Sequence, residues 1–262
     1  MSIVFFDSGI GGLTVLHEAV RLMPHEDYIY YADSRHVPYG LRDKREVQRL
    51  VCDAIQAMTE RYDVHAVVVA CNTATSIAIQ ALRDRYRMPV IGMEPAVKPA
   101  VRLVQASRKR VLVSATPLTL KENKFAELVA GIEAEQFVDP LALPELVRFA
   151  EKEQFAGQTV EAYLREVLTP FDLSQYGAFV MGCTHYIYYK NLFSKLLPEE
   201  VALIDGNRGT VRHLQRQLEV LLPGRSGKGS GQIRFHSSLP ADEADRMTRI
   251  FHHLQAEHDG VT

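Results

Sequence analysis

Short apolar runs alternate with longer amphipathic stretches along almost the whole chain, a pattern that folds as parallel sheet covered by helices on both faces. Strands are predicted at Ser2 to Phe6, Tyr28 to Tyr31, His65 to Ala70, Pro89 to Gly92, Arg110 to Ser114, Ala178 to Met181, Val201 to Asp205 and Ile233 to His236. Between them, apolar residues recur at helical spacing, as in Leu13, Leu16, Val20 and Met23. The long stretch Arg42 to Tyr62 places Val47, Leu50, Val51, Ile55 and Met58 on one face. Further helices are expected over Thr75 to Tyr86, Leu120 to Ala130, Leu143 to Lys152, Thr159 to Thr169, just after His185, Arg208 to Leu222, and Asp242 to Leu254. Pro223 to Gly231 (PGRSGKGSG) has linker composition and reads as a solvated loop.

At 262 residues, the chain is long enough for one large domain or two modest ones. Its 47% hydrophobic and 24% charged residues exclude disorder over most of the length. Lys and Arg total 30 against 32 Asp and Glu, so there is no overall basic footprint and no reason to expect a nucleic-acid partner. No run of about 18 apolar residues predicts a membrane span. The opening MSIVFFDSGIGG reads as a strand rather than a signal peptide. Three cysteines, Cys52, Cys71 and Cys183, are too few and odd in number for a disulfide framework, which points to a reducing, cytoplasmic setting. Neither Cys-x-x-Cys nor His-Glu-x-x-His occurs, and no metal site is expected.

Chemistry concentrates where strands are predicted to end. Cys71 follows the run AVVVA and precedes Asn72-Thr73; Cys183 follows AFVMG and precedes Thr184-His185. In open parallel sheets, ligands bind beyond the carboxyl ends of the strands. A cysteine there, at the start of a helix, meets the positive end of the helix dipole, which favours thiolate. One buried cysteine is ordinary packing, and Cys52, within the amphipathic helix, is read that way. Two in matched contexts point instead to two half-sites of similar design, each with a functional thiol, nucleophile or base. His185, two residues beyond Cys183, is placed to tune that thiol or to meet an anionic substrate. Asp7-Ser8-Gly9-Ile10-Gly11-Gly12 follows a strand and opens a helix, a usual anion site. Thr14 stands where a dinucleotide fingerprint needs its third glycine, and no Walker-type loop occurs. Asp7 and Ser8 are each open to a capping or a catalytic role. Asp33-Ser34, Pro38-Tyr39-Gly40, Asn72, Thr73, Thr116, Thr119 and Thr184 add mostly neutral hydrogen-bonding groups suited to a small polar zwitterion or dicarboxylate.

Taken together, FDSGIGGL (Phe6–Leu13), YADS (Tyr31–Ser34), PYG (Pro38–Gly40), ACNTA (Ala70–Ala74), IGMEPAVKPA (Ile91–Ala100), ATPLT (Ala115–Thr119) and GCTHY (Gly182–Tyr186) resemble the glutamate racemase family, within the aspartate/glutamate racemase superfamily. The motifs run in the family's order over nearly the whole chain. The resemblance implies two doubly wound parallel-sheet α/β domains with the active site in the cleft between them. The first would be discontinuous, residues 1–95 plus 209–262, and the second residues 96–208. It implies cofactor-independent conversion of L-glutamate to D-glutamate for peptidoglycan synthesis, with racemisation of aspartate or another small acid as the alternative. Cys71 and Cys183 would be the two acid/base groups, Asp7 assisting the first and His185 the second. Asp7, Ser8, Tyr39, Gly40, Asn72, Thr73, Thr116, Thr184 and His185 would bind the substrate. No cofactor or metal is implied, and the family commonly forms homodimers.

Three positions depart from the family pattern. Ile187 replaces the usual proline after GCTHY, and the late IDSG-like motif reads Ile204-Asp205-Gly206-Asn207. The family's middle acidic residue falls within DPLALPELVRFAE, where Glu151 is favoured over Glu145 and the ungapped position is Val147.

Overall fold

The computed structural model describes residues 1–131, 135–221, 223–224, 227, 229–240 and 242–258. Leu222, at the predicted end of one helix, and Arg225, Ser226 and Lys228 of the predicted linker lie outside the described residues. In chain order the elements are β1 (Ser2–Asp7), α1 (Leu13–Leu22), β2 (Tyr28–Ala32), α2 (Lys44–Arg61), β3 (Val64–Val69), α3 (Asn72–Arg85) and β4 (Val90–Gly92). There follow α4 (Val97–Val104), β5 (Arg110–Ala115), α5 (Pro117–Lys121), α6 (Asn123–Ala130), β6 (Val138–Ala142), α7 (Pro144–Glu151) and α8 (Gln158–Leu168). The chain continues through β7 (Tyr176–Met181), a 3₁₀ turn (Thr184–Tyr189), α9 (Lys190–Leu196), β8 (Ala202–Ile204), α10 (Asn207–Leu221), β9 (Ile233–Ser237) and α11 (Asp242–His258).

These elements form two compact units, one of Met1–Met93 with Asn207–Thr262 and one of Glu94–Gly206. Each is built on an all-parallel sheet, as the alternating pattern predicted. In the first unit the strand order is β4-β3-β1-β2-β9. The central β1 is buried along its whole length, because helices cover both faces of such a sheet and a parallel strand must be apolar on each. In the second unit the order is β6-β5-β7-β8. Val111 and Val113 of β5 pack there with Ala178 and Val180 of β7 and with Val97, Ala100 and Val104 of α4.

Strand order fixes where chemistry can sit. In the first unit the chain leaves β1 toward β2 on one side and later returns to β3 on the other, so β1 and β3 flank the topological switch point. In the second, β5 and β7 flank it in the same way. Crevices beyond the strand ends at such points are the usual ligand sites of open α/β sheets. Asp7 ends β1 and Cys71 follows β3; Thr116 follows β5 and Cys183 follows β7.

Local signals explain most element ends. Asp43 caps α2, its carboxylate accepting from the backbone N–H groups of Arg45 and Glu46. One expectation needs correction, and two elements were not expected. The helix predicted over Leu120 to Ala130 is two helices: Thr116 caps and Pro117 starts α5 earlier, and the extended backbone of Glu122 then breaks the run before α6. α4 is a helix that the sequence did not suggest, because Pro95 and Pro99 read as breakers. Pro99 falls in its first turn, where no intrahelical N–H is needed. β6 was hidden by Pro140, which is tolerated because β6 is an edge strand.

Candidate active site

In the first unit, Cys71 is itself the N-cap of α3, and its sulfur accepts from the Ala74 N–H at 3.4 Å. A sulfur at this position faces the unpaired N–H groups and the positive dipole end of a 14-residue helix. Ser8 Oγ lies 3.7 Å from the same sulfur, and the serine is almost wholly buried. Asp7, fully buried, accepts from the Gly9 N–H at 2.9 Å. It therefore shapes the loop before α1 rather than capping the helix, whose N-cap is Gly12. Gly12 is required by space: a Cβ there would come within 2.7 Å of Asp7 Cβ and 2.9 Å of the Tyr30 hydroxyl. That hydroxyl donates to the Gly9 carbonyl at 2.7 Å and fixes the loop from beneath.

Beside these groups, Asn72 Nδ2 donates to the Met93 carbonyl at 3.3 Å, and Thr73 and Gly40 are buried. The Tyr39 hydroxyl donates to Asp33 at 2.6 Å, and His36 Nδ1 lies 2.8 Å from the same carboxylate. Burial and the negative charge of Asp33 push the Tyr39 phenol far up, so it stays a protonated donor. Asp33 thus anchors the loop that carries Tyr39 and Gly40. The sequence grouped Asp33 with the polar residues suited to a small substrate; in the structure its carboxylate meets Tyr39 and His36 instead.

The second unit builds its thiol environment differently. Cys183 precedes only a six-residue 3₁₀ turn. Its sulfur lies 3.8 Å from His185 Nδ1, and His185 Nε2 lies 2.7 Å from Glu151 Oε1. Burial opposes charge on His185, but its hydrogen bonds to Cys183 and Glu151, and their charges, raise its pKa well above the usual imidazole value. Its place between sulfur and carboxylate thus favours the imidazolium form. Glu151 ends α7, whereas Glu145 pairs with Arg148 at 2.6 Å and Val147 is in the core. Of the three, Glu151 is the one that reaches His185.

Thr184 is buried beside Cys183. Thr116 caps α5 through the Thr119 N–H, and the two threonine hydroxyls lie 2.9 Å apart. Gly182, the residue before Cys183, admits no side chain: a Cβ would sit 2.6 Å from the Ser114 carbonyl oxygen of the neighbouring strand. Cys52 is half-buried in α2, with burial pushing its thiol up. Among the described residues no group of three His, Cys, Asp or Glu side chains is arranged to hold a metal, and no helix is long and apolar enough to cross a membrane.

Sequence reasoning thus named Cys71, Ser8 and Asp7, which the structure gathers at one switch point, and Cys183, His185 and Glu151, which it gathers at the other. It missed the buried tyrosines Tyr30, Tyr186 and Tyr189, whose hydroxyls tie down the surrounding backbone. Tyr186 closes the GCTHY motif and Tyr30 lies within the predicted strand Tyr28 to Tyr31, but neither setting says where a hydroxyl will bond.

The class so defined is a two-unit parallel α/β protein with a thiol at the switch point of each sheet. The Asp/Glu/Hydantoin racemase pattern matches residues 12–214, and the chain belongs to that family. A glutamate racemase of Halothermothrix orenii is 51% identical over 243 residues, 93% of this chain and 95% of its own. Glutamate racemase 2 of Bacillus subtilis is 50% identical over 257 residues, 96% of this chain and 95% of its own. Among solved structures, glutamate racemase from Francisella tularensis in complex with D-glutamate superposes with a TM-score of 0.81 at 28% identity, covering 95% of this chain and 92% of that one.

Proposed function

We propose that this chain interconverts L- and D-glutamate without a cofactor, with Cys71 and Cys183 as acid/base groups on opposite faces of the α-carbon. The observation that carries the reading is the pair of buried thiols, each at the switch point of its own sheet and each with its own polarising partner. Substrate identity rests on the relatives that are glutamate racemases at about half identity over nearly the whole chain.

Inversion requires a proton to leave one face and another to arrive on the opposite face. One thiol must therefore enter as thiolate and the other as thiol, and the roles exchange when the opposite enantiomer binds. A thiol with an ordinary pKa of about 8.5 reaches either form near neutrality with modest tuning. The α-proton of an amino acid is far less acidic, so most of the barrier must fall through positioning and stabilisation of the carbanionic transition state. Asp7 and Ser8 serve Cys71, and the His185–Glu151 pair serves Cys183. Tyr39, Gly40, Asn72, Thr73, Thr116, Thr184 and His185 contribute to binding the amino acid. The D-glutamate formed supplies peptidoglycan synthesis. The small, odd number of cysteines suits a reducing cytoplasm, and the family resemblance favours a homodimer.

The test is a substrate panel on purified, metal-free protein under reducing conditions, following optical rotation with L-glutamate, L-aspartate and a hydantoin in parallel. Loss of rotation with glutamate alone is expected. Turnover of aspartate or the hydantoin in preference to glutamate would replace the substrate. No turnover of any of them by folded protein would overturn the racemase reading.

A further inference from the structure

Two tyrosines outside the reacting groups tie together the two elements whose meeting creates the His185–Glu151 contact. His185 lies on the 3₁₀ turn and Glu151 at the end of α7, 34 residues apart in sequence. The Tyr186 hydroxyl donates to the Leu143 carbonyl at 2.8 Å, just before α7. The Tyr189 hydroxyl donates to the Leu146 carbonyl within α7 at 3.1 Å and to the Gln154 carbonyl just beyond it at 3.2 Å. Both side chains are fully buried. Burial, reinforced by the nearby charge of Cys183 and, at Tyr189, of Glu151, pushes both phenols far up, so both remain donors across the working pH range. The turn is thus tied to the residue just before α7, to the first turn of α7 and to the residues past its end. Ile187, which stands where the family has proline, leaves the turn without a rigid ring to set its course.

We infer that Tyr186 and Tyr189 are positioning residues for catalysis: their hydroxyls hold the 3₁₀ turn against α7 so that His185 stays between Cys183 and Glu151. The inference rests on the proposed reading of Cys183 as one of two acid/base groups. It predicts that loosening either tie impairs proton transfer at Cys183 while leaving the Cys71 half intact.

A two-thiol racemase offers a readout that a merely structural role would not move. When the Cys183 step slows, it limits the reaction in both directions. The enantiomer deprotonated by Cys183 then shows a larger primary isotope effect from α-deuterium on kcat/KM. The enantiomer deprotonated by Cys71 shows a smaller one, because its deprotonation has become a pre-equilibrium. Tyr186→Phe and Tyr189→Phe are each expected to lower kcat about 3- to 10-fold, the range for one lost hydrogen bond, with KM changed less than about 2-fold and the isotope effects for D- and L-glutamate driven apart. Glu151→Gln should drive them apart in the same sense. Isotope effects that remain as in the parent protein, or change equally for both enantiomers, overturn the inference even if the melting temperature falls. If either phenylalanine variant fails to fold, a phenylalanine analogue carrying fluorine in place of the hydroxyl fills the same space with no donor at that position. An isotope-effect ratio unchanged by it would equally overturn the inference. Cys183→Ser is run alongside. Full racemisation by that variant would overturn the underlying reading itself, whereas an inactive Cys183→Ser with unaffected tyrosine variants would overturn the positioning role alone.

Discussion

The two units solve one problem in two ways. Both place a thiol just past a strand at a switch point, and under the proposed two-thiol mechanism both need positive potential facing the sulfur. The first obtains it from backbone: Cys71 caps a 14-residue helix and takes a hydrogen bond from its Ala74 N–H. The second has only a six-residue 3₁₀ turn after Cys183, too short to offer comparable dipole, and uses a side-chain cation instead. That cation is buried and must be stabilised, which Glu151 does at 2.7 Å. A backbone dipole does not titrate, whereas an imidazolium does. The halves should therefore differ in pH response and in the number of residues whose loss is felt.

The largest expected effect treats the halves alike. Cys71→Ser and Cys183→Ser should each lower racemisation about 10³-fold or more, since a hydroxyl is a far weaker acid/base group near neutrality. A full-rate variant at either position would break the pairing. The next effect should separate the halves. Glu151→Gln removes the carboxylate that helps keep His185 charged, so kcat should fall about 10- to 100-fold and its alkaline limb should move to lower pH in a pH–rate profile. Ser8→Ala touches only a 3.7 Å contact to Cys71 and should cost about 2- to 5-fold with an unshifted limb.

Stability follows the same division. The His185 pKa is raised in the folded protein, so its stabilising contribution is complete below the ordinary imidazole value of about 6.5 and is lost as pH rises through the higher folded value. The melting-temperature difference between the parent protein and His185→Asn should therefore narrow on going alkaline. Smallest in reach are the two glycines. Gly182→Ala drives a Cβ against the Ser114 backbone oxygen and should destabilise by about 1–3 kcal/mol. Gly12→Ala drives a Cβ against Asp7 Cβ and the buried Tyr30 hydroxyl, neither of which can move freely, and should cost a similar amount in thermal denaturation.

Legibility in the sequence followed the same line between local and distant. β1, β3, β5 and β7 announced themselves as apolar runs, and Cys71 and Cys183 stood out because matched polar residues follow each. Asp7, Ser8 and His185 could be named for their nearness in sequence to those strand ends. Glu151 could be placed only by resemblance, with Glu145 competing, because its partner is 34 residues away and helix periodicity says nothing about which carboxylate faces another element. The roles of Asp33, Tyr30, Tyr186 and Tyr189 were hidden for the same reason: their hydrogen bonds exist only once strands and turns have assembled. α4 and β6 were missed because proline reads as a breaker, although a helix's first turn and an edge strand both accept it.

The most direct test of two thiols acting on opposite faces is proton bookkeeping in D₂O. L-glutamate is incubated with the protein, stopped at a few per cent conversion, and the enantiomers are separated and weighed for α-deuterium. The account predicts that the D-glutamate formed carries deuterium at the α-carbon while the remaining L-glutamate is still protiated, because the proton taken by one thiol is not the one delivered by the other. D-glutamate that retains the original α-hydrogen, or L-glutamate that exchanges as fast as product appears, would contradict it.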